Sequence, residues 1–285
     1  MYPTSFDYHK PRSLADAAAL LAKDPEAKLL AGGHSLLPAM KMRLATPTAL
    51  VDLAGLKELA GIQAAGGAIQ VGALTTHATV AASDVVRSSC PLLAEAASQI
   101  GDAQVRNRGT IGGSVAHADP AADYPTALTA LGATVVTGGA SSRRLPIEGF
   151  FTGLFATALA PGEIVTAVHV PTYGKGTGGT YVKHRHPASS YAVVGVAALV
   201  TVDGGKCTKV SLVVGGVSVN PVRASAAEAA LTGQAPAEAA FAAAAAKVAD
   251  AVAKPISDLY ASGEYRVHLA SVLARRALAT AAARA

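Results

Sequence analysis

The segment AVVGVAALVTVDGGKCTKVSLVVGG, residues 192–216, limits the possible folds more than any other part of the chain. It contains two valine-rich apolar runs separated by VDGGK. Adjacent glycines between such runs favour a tight hairpin, because glycine readily adopts the positive φ angles that the turn requires. The two runs must then pair antiparallel, so the fold needs an antiparallel sheet whose apolar face is covered by a second layer.

Helix-like sequence follows this sheet. Beyond Arg223 the chain reads ASAAEAALTG, PAEAAFAAAAAKVADAV and EYRVHLASVLARRALATAA, and the last segment repeats apolar residues at helical spacing. Residues 174–223 read as a linker followed by three strands. We therefore predict an α+β fold with two domains, residues 1–173 and 174–285.

The first domain mixes both kinds of element. RSLADAAALLAKD (12–24) predicts a helix with Ser13 as its N-cap, AKLLAGG (27–33) a strand, and EIVTAVHVP (163–171) another strand. VRNRGTIGGSVAHADPAADYPTALTAL (105–131) predicts a loop-like centre and then a helix with Asp119 as N-cap and Pro120 at its first position.

Composition excludes several classes of protein. The 285 residues are 51% hydrophobic and 15% charged, which is typical of a globular chain. The alanine-rich tract 235–253 carries Glu238, Lys247 and Asp250, which argue against a membrane-spanning helix. The N-terminus lacks the layout of a signal peptide, so we expect a cytoplasmic protein, with peripheral contact to the inner membrane as an option.

Charge and cysteine usage narrow the function further. The net charge of +5 comes without long Lys/Arg runs, and aromatic residues make up only 5%, so nothing here indicates nucleic-acid binding. Cys90 and Cys207 are the only cysteines and lie far apart in sequence. They cannot supply the four thiolates that an iron–sulfur cluster usually needs, and we expect two buried thiols.

Two similar glycine motifs, AGGHS (31–35) and IGGS (111–114), are the strongest candidates for a binding site. Adjacent glycines allow successive backbone N–H groups to turn toward one anion, such as a pyrophosphate. Each motif is followed by a hydroxyl, Ser35 or Ser114, that could add a hydrogen bond. Ordinary tight turns are the alternative, and spacing alone leaves both interpretations open.

Three other motifs favour structural explanations. GKGTGG (174–179) satisfies the G-x-G-x-x-G pattern of dinucleotide-binding proteins, but a strand-like segment rather than a helix follows, so we predict a flexible interdomain loop. HADPAAD (117–123) could bind a metal, although helix capping by Asp119 explains it adequately. KHRH (183–186) is typical of a basic solvated strand face.

Asp123 and two arginines also remain ambiguous from sequence. Asp123 could accept hydrogen bonds from sugar hydroxyls or could simply be a charge near a helix N-terminus. Arg106 and Arg108 could assist an anion or be exposed loop residues. We predict no catalytic residue and no metal ligand on this chain.

Longer stretches carry a family resemblance. LLAGGHSLLPAMKMRLATPTALVDL, QVRNRGTIGGSVAHADPAADYP and LAPGEIVTAVHVP together resemble the FAD-binding medium subunits of the molybdenum hydroxylases, with the aerobic carbon monoxide dehydrogenase branch nearest. The resemblance covers essentially the whole chain. It implies a two-part FAD domain of the vanillyl-alcohol-oxidase (PCMH) type, with subdomains of about 1–55 and 56–173. A C-terminal domain with a three-stranded antiparallel sheet and helices follows it.

The resemblance also implies which residues bind FAD. The two glycine loops would hold the pyrophosphate, and single positions would contact the rest of the cofactor. These residues are Leu29, Leu30, Ala31, Gly32, Gly33, His34, Ser35 and Leu36 in the first loop, Thr110, Ile111, Gly112, Gly113 and Ser114 in the second, and Ile100, Asp123, Leu159, Lys183 and Tyr191 elsewhere.

Partners follow from the same resemblance. In such enzymes a large subunit carries a molybdopterin centre, a small subunit carries [2Fe–2S] clusters, and FAD on the medium subunit passes electrons to a terminal acceptor. We expect a heterotrimer, doubled to a dimer of heterotrimers. The alternatives are a self-sufficient FAD-dependent reductase of the same fold, or a non-redox scaffold whose glycine loops are only turns.

Overall fold

A computed structural model describes residues 2–285 of the chain and contains both helices and strands. The strands are β1 (Asp7–His9), β2 (Lys28–Leu30), β3 (Ala49–Asp52), β4 (Ile62–Ala65), β5 (Ala68–Gly72), β6 (Thr134–Gly139), β7 (Arg144–Pro146), β8 (Phe151–Gly153), β9 (Ala156–Thr157), β10 (Glu163–Pro171), β11 (Thr177–Arg185), β12 (Ala192–Asp203), β13 (Lys206–Gly215) and β14 (Val222–Arg223). The helices are α1 (Leu14–Lys23), α2 (Leu36–Lys41), α3 (His77–Ala82), α4 (Asp84–Ser89), α5 (Pro91–Ser98), α6 (Ala103–Arg108), α7 (Ile111–His117), α8 (Asp123–Leu131), α9 (Ser225–Leu231), α10 (Glu238–Ala246), α11 (Val248–Ala251) and α12 (Gly263–Ala283).

The N-terminal layer is a small parallel sheet with strand order β1-β3-β2. Helix α1 connects β1 to β2, and the predicted cap is present: Ser13 Oγ accepts from the backbone N–H of Asp16 at 3.0 Å. Buried alanine and leucine residues from α1, β3 and the turn after it form the core of this layer. Because β2 belongs to this packed layer, the first glycine loop begins directly after a strand whose position is fixed.

The second layer is a five-stranded antiparallel sheet with order β4-β5-β10-β6-β7. Helices α3, α4, α5, α7 and α8 cover one of its faces and share a hydrophobic core with it. The predicted strand 163–171 lies at its centre as β10, paired with β5 on one side and β6 on the other. This central position explains why the strand reads as a nearly continuous apolar run.

The third layer confirms the antiparallel hairpin predicted for residues 192–216. Strands β12 and β13 pair antiparallel through the VDGGK turn, where Gly204 and Gly205 both have positive φ angles. The sheet has the order β11-β12-β13-β14, so the three predicted strands are joined by a fourth of only two residues. Helices α9–α12 bury their apolar side chains against it, which gives the expected α+β architecture.

Residues 103–123 differ from the sequence prediction. The predicted loop contains two short helices, α6 and α7, and the next helix begins at Asp123 rather than after Asp119. Asp119 instead closes a local turn, because its Oδ1 accepts from the N–H of Ala121 at 2.9 Å. Gly112 and Gly113 disfavour a helix at α7, and tertiary contacts described below stabilise it.

The GKGTGG segment is also different from the predicted flexible loop. Its last three residues belong to β11, and a Cβ atom at Gly178 would lie only 2.1 Å from the carbonyl oxygen of Ala281 in α12. Gly178 therefore allows the end of α12 to pack directly on the strand. Within the described residues, no helix is both long and apolar enough to cross a bilayer. The location of the protein stays a prediction.

Candidate functional site

A cavity of about 840 Å³ lies where the N-terminal layer, the second layer and the loop before β12 meet. Its size falls in the upper part of the roughly 300–1,000 Å³ range that is usual for ligand and cofactor sites. Both glycine loops line it, and residues 189–191 line it from the C-terminal half of the chain. Each of the three segments on which the family resemblance rests contributes lining residues to this cavity.

The first glycine loop presents unused backbone donors to this cavity. It connects β2, which ends at Leu30, to α2, which begins at Leu36. Within residues 2–285, the backbone N–H groups of Gly32, Gly33, His34 and Ser35 donate to no protein acceptor. Gly33 has a φ of +75°, which turns the chain between strand and helix. These donors can therefore bind an anion, which is one of the two interpretations that the sequence leaves open for this loop.

The second glycine loop has a different hydrogen-bond pattern. Thr110 is the N-cap of α7, and the N–H groups of the next residues are already engaged inside the protein. Ile111, Gly112, Gly113 and Ser114 donate to Thr75 O, Ala73 O, Thr110 Oγ1 and Thr110 O, at 3.1, 2.9, 3.1 and 3.0 Å. An anion at this loop must therefore rely on side-chain donors. The expectation of bare N–H groups holds for the first loop only.

Close packing is the main reason for glycine at two of these positions. A Cβ atom at Gly32 would lie 2.2 Å from the carbonyl oxygen of Arg108, and one at Gly112 would lie 2.5 Å from Cβ of Ala73. Gly32 thus allows the first loop to rest directly on the backbone that precedes the second loop. The glycines join the two loops to each other and to β5, which brings both to one cavity.

Asp123 lies at the inner wall of the cavity in a buried cluster. The Lys183 ammonium donates to its Oδ2 at 2.8 Å, and the Tyr181 hydroxyl donates to its Oδ1 at 2.6 Å. The side chain of Lys183 is 0% exposed and that of Asp123 is 5% exposed. Burial raises the pKa of Asp123, and Lys183 and Tyr181 partly offset this by stabilising the carboxylate. Asp123 is therefore neither a solvated helix-end charge nor a freely mobile carboxylate.

Two further predicted positions lie at the edges of the cavity. The carbonyl oxygens of Ile100 and Gly101 accept from the Arg106 guanidinium at 3.0 and 3.1 Å, which fixes this wall. Arg106 is thus a structural residue rather than an exposed loop arginine. Tyr191 is 42% exposed and lines the cavity together with Ser35, so the C-terminal half of the chain reaches the same site as the first glycine loop.

Most of the predicted FAD-binding residues line this one cavity. Those that do are Leu29, Leu30, Ala31, Gly32, Gly33, His34, Ser35, Leu36, Ile100, Thr110, Gly112, Gly113, Ser114, Asp123 and Tyr191. Ile111 is buried in the core instead, Leu159 packs against that core, and Lys183 lies behind Asp123. Their proposed contact with the cofactor stays a prediction, and Lys183 reaches the site through another residue.

Sequence reasoning missed several lining residues. His77 and Gly109 line the cavity beside the second loop; His77 belongs to no binding motif, and Gly109 precedes the second glycine motif without being part of it. His117 and Asp119, which we had considered as metal ligands, also line the cavity. Among residues 2–285, no group of three histidine, cysteine, aspartate or glutamate side chains could hold a metal ion. The volume of the cavity and the free backbone donors of the first loop fit FAD.

Two family models match the chain. The model for the FAD binding domain in molybdopterin dehydrogenase matches residues 4–173, and the model for the CO dehydrogenase flavoprotein C-terminal domain matches residues 180–281. The first match contains both glycine loops and Asp123. The second contains the hairpin and the helices that cover it.

Individual relatives are similar over their full length. The carbon monoxide dehydrogenase medium chain of Afipia carboxidovorans is 41% identical over 287 residues, which cover 100% of this chain and 99% of the relative. The structure of carbon monoxide dehydrogenase from Hydrogenophaga pseudoflava superposes with a TM-score of 0.96 at 40% identity, over 100% of this chain and 99% of that one. Quinoline 2-oxidoreductase from Pseudomonas putida 86 superposes with a TM-score of 0.94 at 33% identity, over 99% of both chains. The chain belongs to the family of FAD-binding medium subunits of the molybdenum hydroxylases, oxidoreductases of the carbon monoxide dehydrogenase and xanthine dehydrogenase type.

Proposed function

We propose that this chain holds FAD in the cavity between its two glycine loops and transfers electrons within a heterotrimeric molybdenum hydroxylase. A small partner subunit with [2Fe–2S] clusters delivers the electrons. A large partner subunit carries the molybdopterin centre that oxidises the substrate. The terminal acceptor is a quinone, NAD or oxygen, and two heterotrimers form a dimer.

The observation that carries this proposal is the set of unused N–H groups in the first glycine loop. Gly32, Gly33, His34 and Ser35 line the cavity with donors that no protein acceptor uses within the described chain. Each hydrogen bond to a charged phosphate oxygen would contribute about 1.5–3 kcal/mol. This loop would therefore hold the pyrophosphate, while Asp123 accepts from hydroxyl groups of the same cofactor.

The chain must obtain its electrons from another subunit. Both cysteines, Cys90 and Cys207, are buried, and burial raises the pKa of the Cys90 thiol to about 12. Two separate, protonated thiols cannot ligate an iron–sulfur cluster, which usually needs four thiolates. Bound FAD would supply the exchange of electrons, and the protein supplies position and electrostatics.

The substrate is selected elsewhere in the complex. Two relatives with the same fold over their whole length are named for different substrates, carbon monoxide and quinoline. A medium subunit that has the same fold in enzymes for such different substrates does not recognise the substrate. We therefore assign substrate recognition to the large partner subunit.

Flavin binding tests the first part of the proposal. The chain is purified alone and together with its co-expressed partners, and each sample is titrated with FAD while the flavin absorption spectrum and the melting temperature are recorded. We expect one FAD per chain and a higher melting temperature when it binds. A protein that takes up no flavin in either form would contradict the proposal and favour a non-redox scaffold.

Anaerobic reduction tests the second part. The FAD-loaded chain is mixed with NADH or NADPH alone, and separately with the reduced small subunit. We expect the reduced small subunit to bleach the flavin, and a sedimentation mass of two heterotrimers for the full complex. Bleaching by a nicotinamide coupled to reduction of a substrate, without any partner, would instead indicate a self-sufficient reductase.

A further inference from the structure

His77 occupies a position beside the second glycine loop that backbone geometry does not explain. It is the first residue of α3, is 5% exposed and lines the cavity. A Cβ atom at Gly109 would lie 2.5 Å from Nε2 of His77. Because Gly109 has an ordinary φ of −60°, its conformation does not require glycine. Glycine at this position therefore keeps space for the imidazole.

The two ring nitrogens of His77 have different surroundings. Nδ1 is enclosed and has no hydrogen-bond partner within the described chain. The ring packs against that of Tyr124 with centroids 5.2 Å apart, and the Tyr124 hydroxyl is also enclosed and unpaired there. Nε2 lies beside Gly109 and is not enclosed in this way, and His77 is a lining residue of the cavity. Only Nε2 is therefore placed to meet a ligand.

The charge state of His77 suits a hydrogen-bond donor rather than a counter-ion. Burial is the main reason that its pKa falls to about 4, and the nearby positive charges of His34 and Arg106 contribute to the same shift. The ring is thus neutral at pH 7 and carries one proton. A neutral imidazole protonated on Nε2 can donate one hydrogen bond.

The second loop lacks the donors that an anion would need. The N–H groups from Ile111 to Ser114 all bind protein acceptors, so the backbone there offers a phosphate little. Side-chain donors that line the cavity near this loop include the hydroxyls of Thr110 and Ser114 and the imidazole of His77. A phosphate held between the two loops needs one of these side chains.

We propose that His77 is a further cofactor-binding residue, which donates from Nε2 to a phosphate oxygen of the dinucleotide at the second glycine loop. The inference rests on the proposed placement of FAD in this cavity. His77 and the first loop would bind the pyrophosphate together. Gly109 is then required because any side chain there would displace the imidazole.

FAD affinity of three variants tests this proposal in the form of the protein, chain or complex, that binds FAD. We expect His77→Leu to bind FAD roughly three- to tenfold more weakly, as expected for one lost hydrogen bond. His77→Gln retains an N–H donor and should recover most of that loss. His169→Leu is the matched control, because His169 lies outside the cavity on the exposed face of β10, bonded to Gln70 and Arg144. Equal affinity of wild type and a folded His77→Leu would overturn the inference.

Nuclear magnetic resonance of the wild-type protein gives a test that does not depend on how a variant folds. In the wild-type protein with ¹⁵N-labelled histidine, we expect the Nε2-protonated form of His77 and a shift of its Nε2 resonance when FAD is added. The ³¹P resonances of bound FAD should move in His77→Gln and stay in place in His169→Leu. A proton on Nδ1, or an unchanged Nε2 resonance, would overturn the inference. Failure of the wild type to bind FAD would instead contradict the proposed function.

Discussion

Gly32 and Gly33 are adjacent but are glycines for different physical reasons. At Gly32 the backbone of another segment occupies the space of a side chain, since Arg108 O would lie 2.2 Å from its Cβ. At Gly33 the space is limited only by the flexible side chains of Leu30 and Leu37, but φ is +75°. The first is a packing constraint between two loops, and the second is a conformational constraint within one loop.

These two constraints predict different outcomes for alanine substitutions. Gly32→Ala forces two backbones apart, so we expect a loss of about 1–3 kcal/mol in unfolding free energy and much weaker FAD binding. Gly33→Ala should cost about 1–2 kcal/mol and retain more of the binding. Gly132→Ala is a matched control, with φ +65° and no atom near its Cβ position. Urea denaturation and FAD titration measure both effects, and equal FAD affinity of Gly32→Ala and wild type would contradict the loop contact.

The surroundings of the Glu163 carboxylate predict that the fold loses stability in acid. Its carboxylate accepts from Arg143 Nε at 2.6 Å and Ser141 Oγ at 2.7 Å, and it adjoins cavity residues Pro161 and Gly162. The Arg143 hydrogen bonds are the main reason that its pKa falls to about 2 from an ordinary 4.5. A lowered carboxyl pKa stabilises the fold fully above pH 4.5, and this stabilisation is lost as the pH falls from 4.5 to 2.

Glu163→Gln should therefore melt about 2–6 °C below wild type at pH 7. The difference should shrink between pH 4.5 and pH 2, because wild type loses the same stabilisation there. Thermal melts across this range measure it, with Glu148→Gln as the control, since the Glu148 side chain is 63% exposed. A difference that stays constant down to pH 2 would show that the charge of Glu163 is not responsible.

At the level of elements, strong local signals in the sequence were sufficient for prediction. The VDGGK turn predicted the β12–β13 hairpin, and Ser13 predicted the start of α1, because each signal acts within a few residues. Helices α6 and α7 were not predictable in this way. Gly112 in α7 disfavours a helix locally, and the segment is helical because its N–H groups find acceptors in the β5–α3 connection.

The same limit applies to the site. Both glycine motifs and Asp123 were found from the sequence and from the family resemblance, and the structure brings them to one cavity. The pairing of Asp123 with Lys183 and Tyr181 joins residues about 60 positions apart, and no local pattern encodes such a contact. His77 was missed for the same reason, since only the packing against Gly109 marks it.

Strand β11 shows how one element protects another. It is an edge strand, and edge strands with unpaired N–H and C=O groups tend to pair with other chains. Here Glu95 accepts from the N–H of Tyr181 at 3.0 Å, and Gln99 donates to the carbonyl of the same residue at 3.0 Å. Arg284 donates to the carbonyl of Gly179 at 2.9 Å. Side chains from α5 and the C-terminus thus replace a neighbouring strand.

Removing Glu95 should expose this edge. The carboxylate also accepts from Thr180 Oγ1 at 2.8 Å and pairs with Arg284, so Glu95→Ala leaves several donors without a partner. We expect a loss of about 2–4 kcal/mol in unfolding free energy and faster aggregation on warming. Denaturation and light scattering measure these changes. Glu238→Ala is the control, because its ion pair with Arg275 is exposed, and an equal effect of both variants would contradict the role of Glu95.

At the scale of the whole molecule, the cavity is built by parts of the chain that are distant in sequence. The N-terminal layer provides the first glycine loop, the second layer provides the other loop and Asp123, and the C-terminal half provides Tyr191 and the partners of Asp123. Lys183 also donates to the carbonyl oxygen of Gln99 at 3.1 Å, next to the cavity residue Ile100. The C-terminal half therefore holds the inner wall of the site in place without lining most of it.

This arrangement predicts that Lys183 contributes to three properties: the stability of the fold, the cooperative unfolding of the two halves of the chain, and FAD binding. Lys183→Met leaves the Asp123 carboxylate buried without its counter-ion, which should cost about 3–5 kcal/mol, because a buried unpaired charge is strongly destabilising. The double variant Asp123→Asn/Lys183→Met removes that charge and should recover part of the stability but not the FAD affinity, since Asp123 lines the cavity and Lys183 does not. Calorimetry should show the two halves unfolding less cooperatively in Lys183→Met. Arg275→Met is the control, because the Arg275–Glu238 ion pair is exposed, and it should behave like wild type. A Lys183→Met protein that also behaved like wild type would show that the Lys183–Asp123 pair does not connect the two halves.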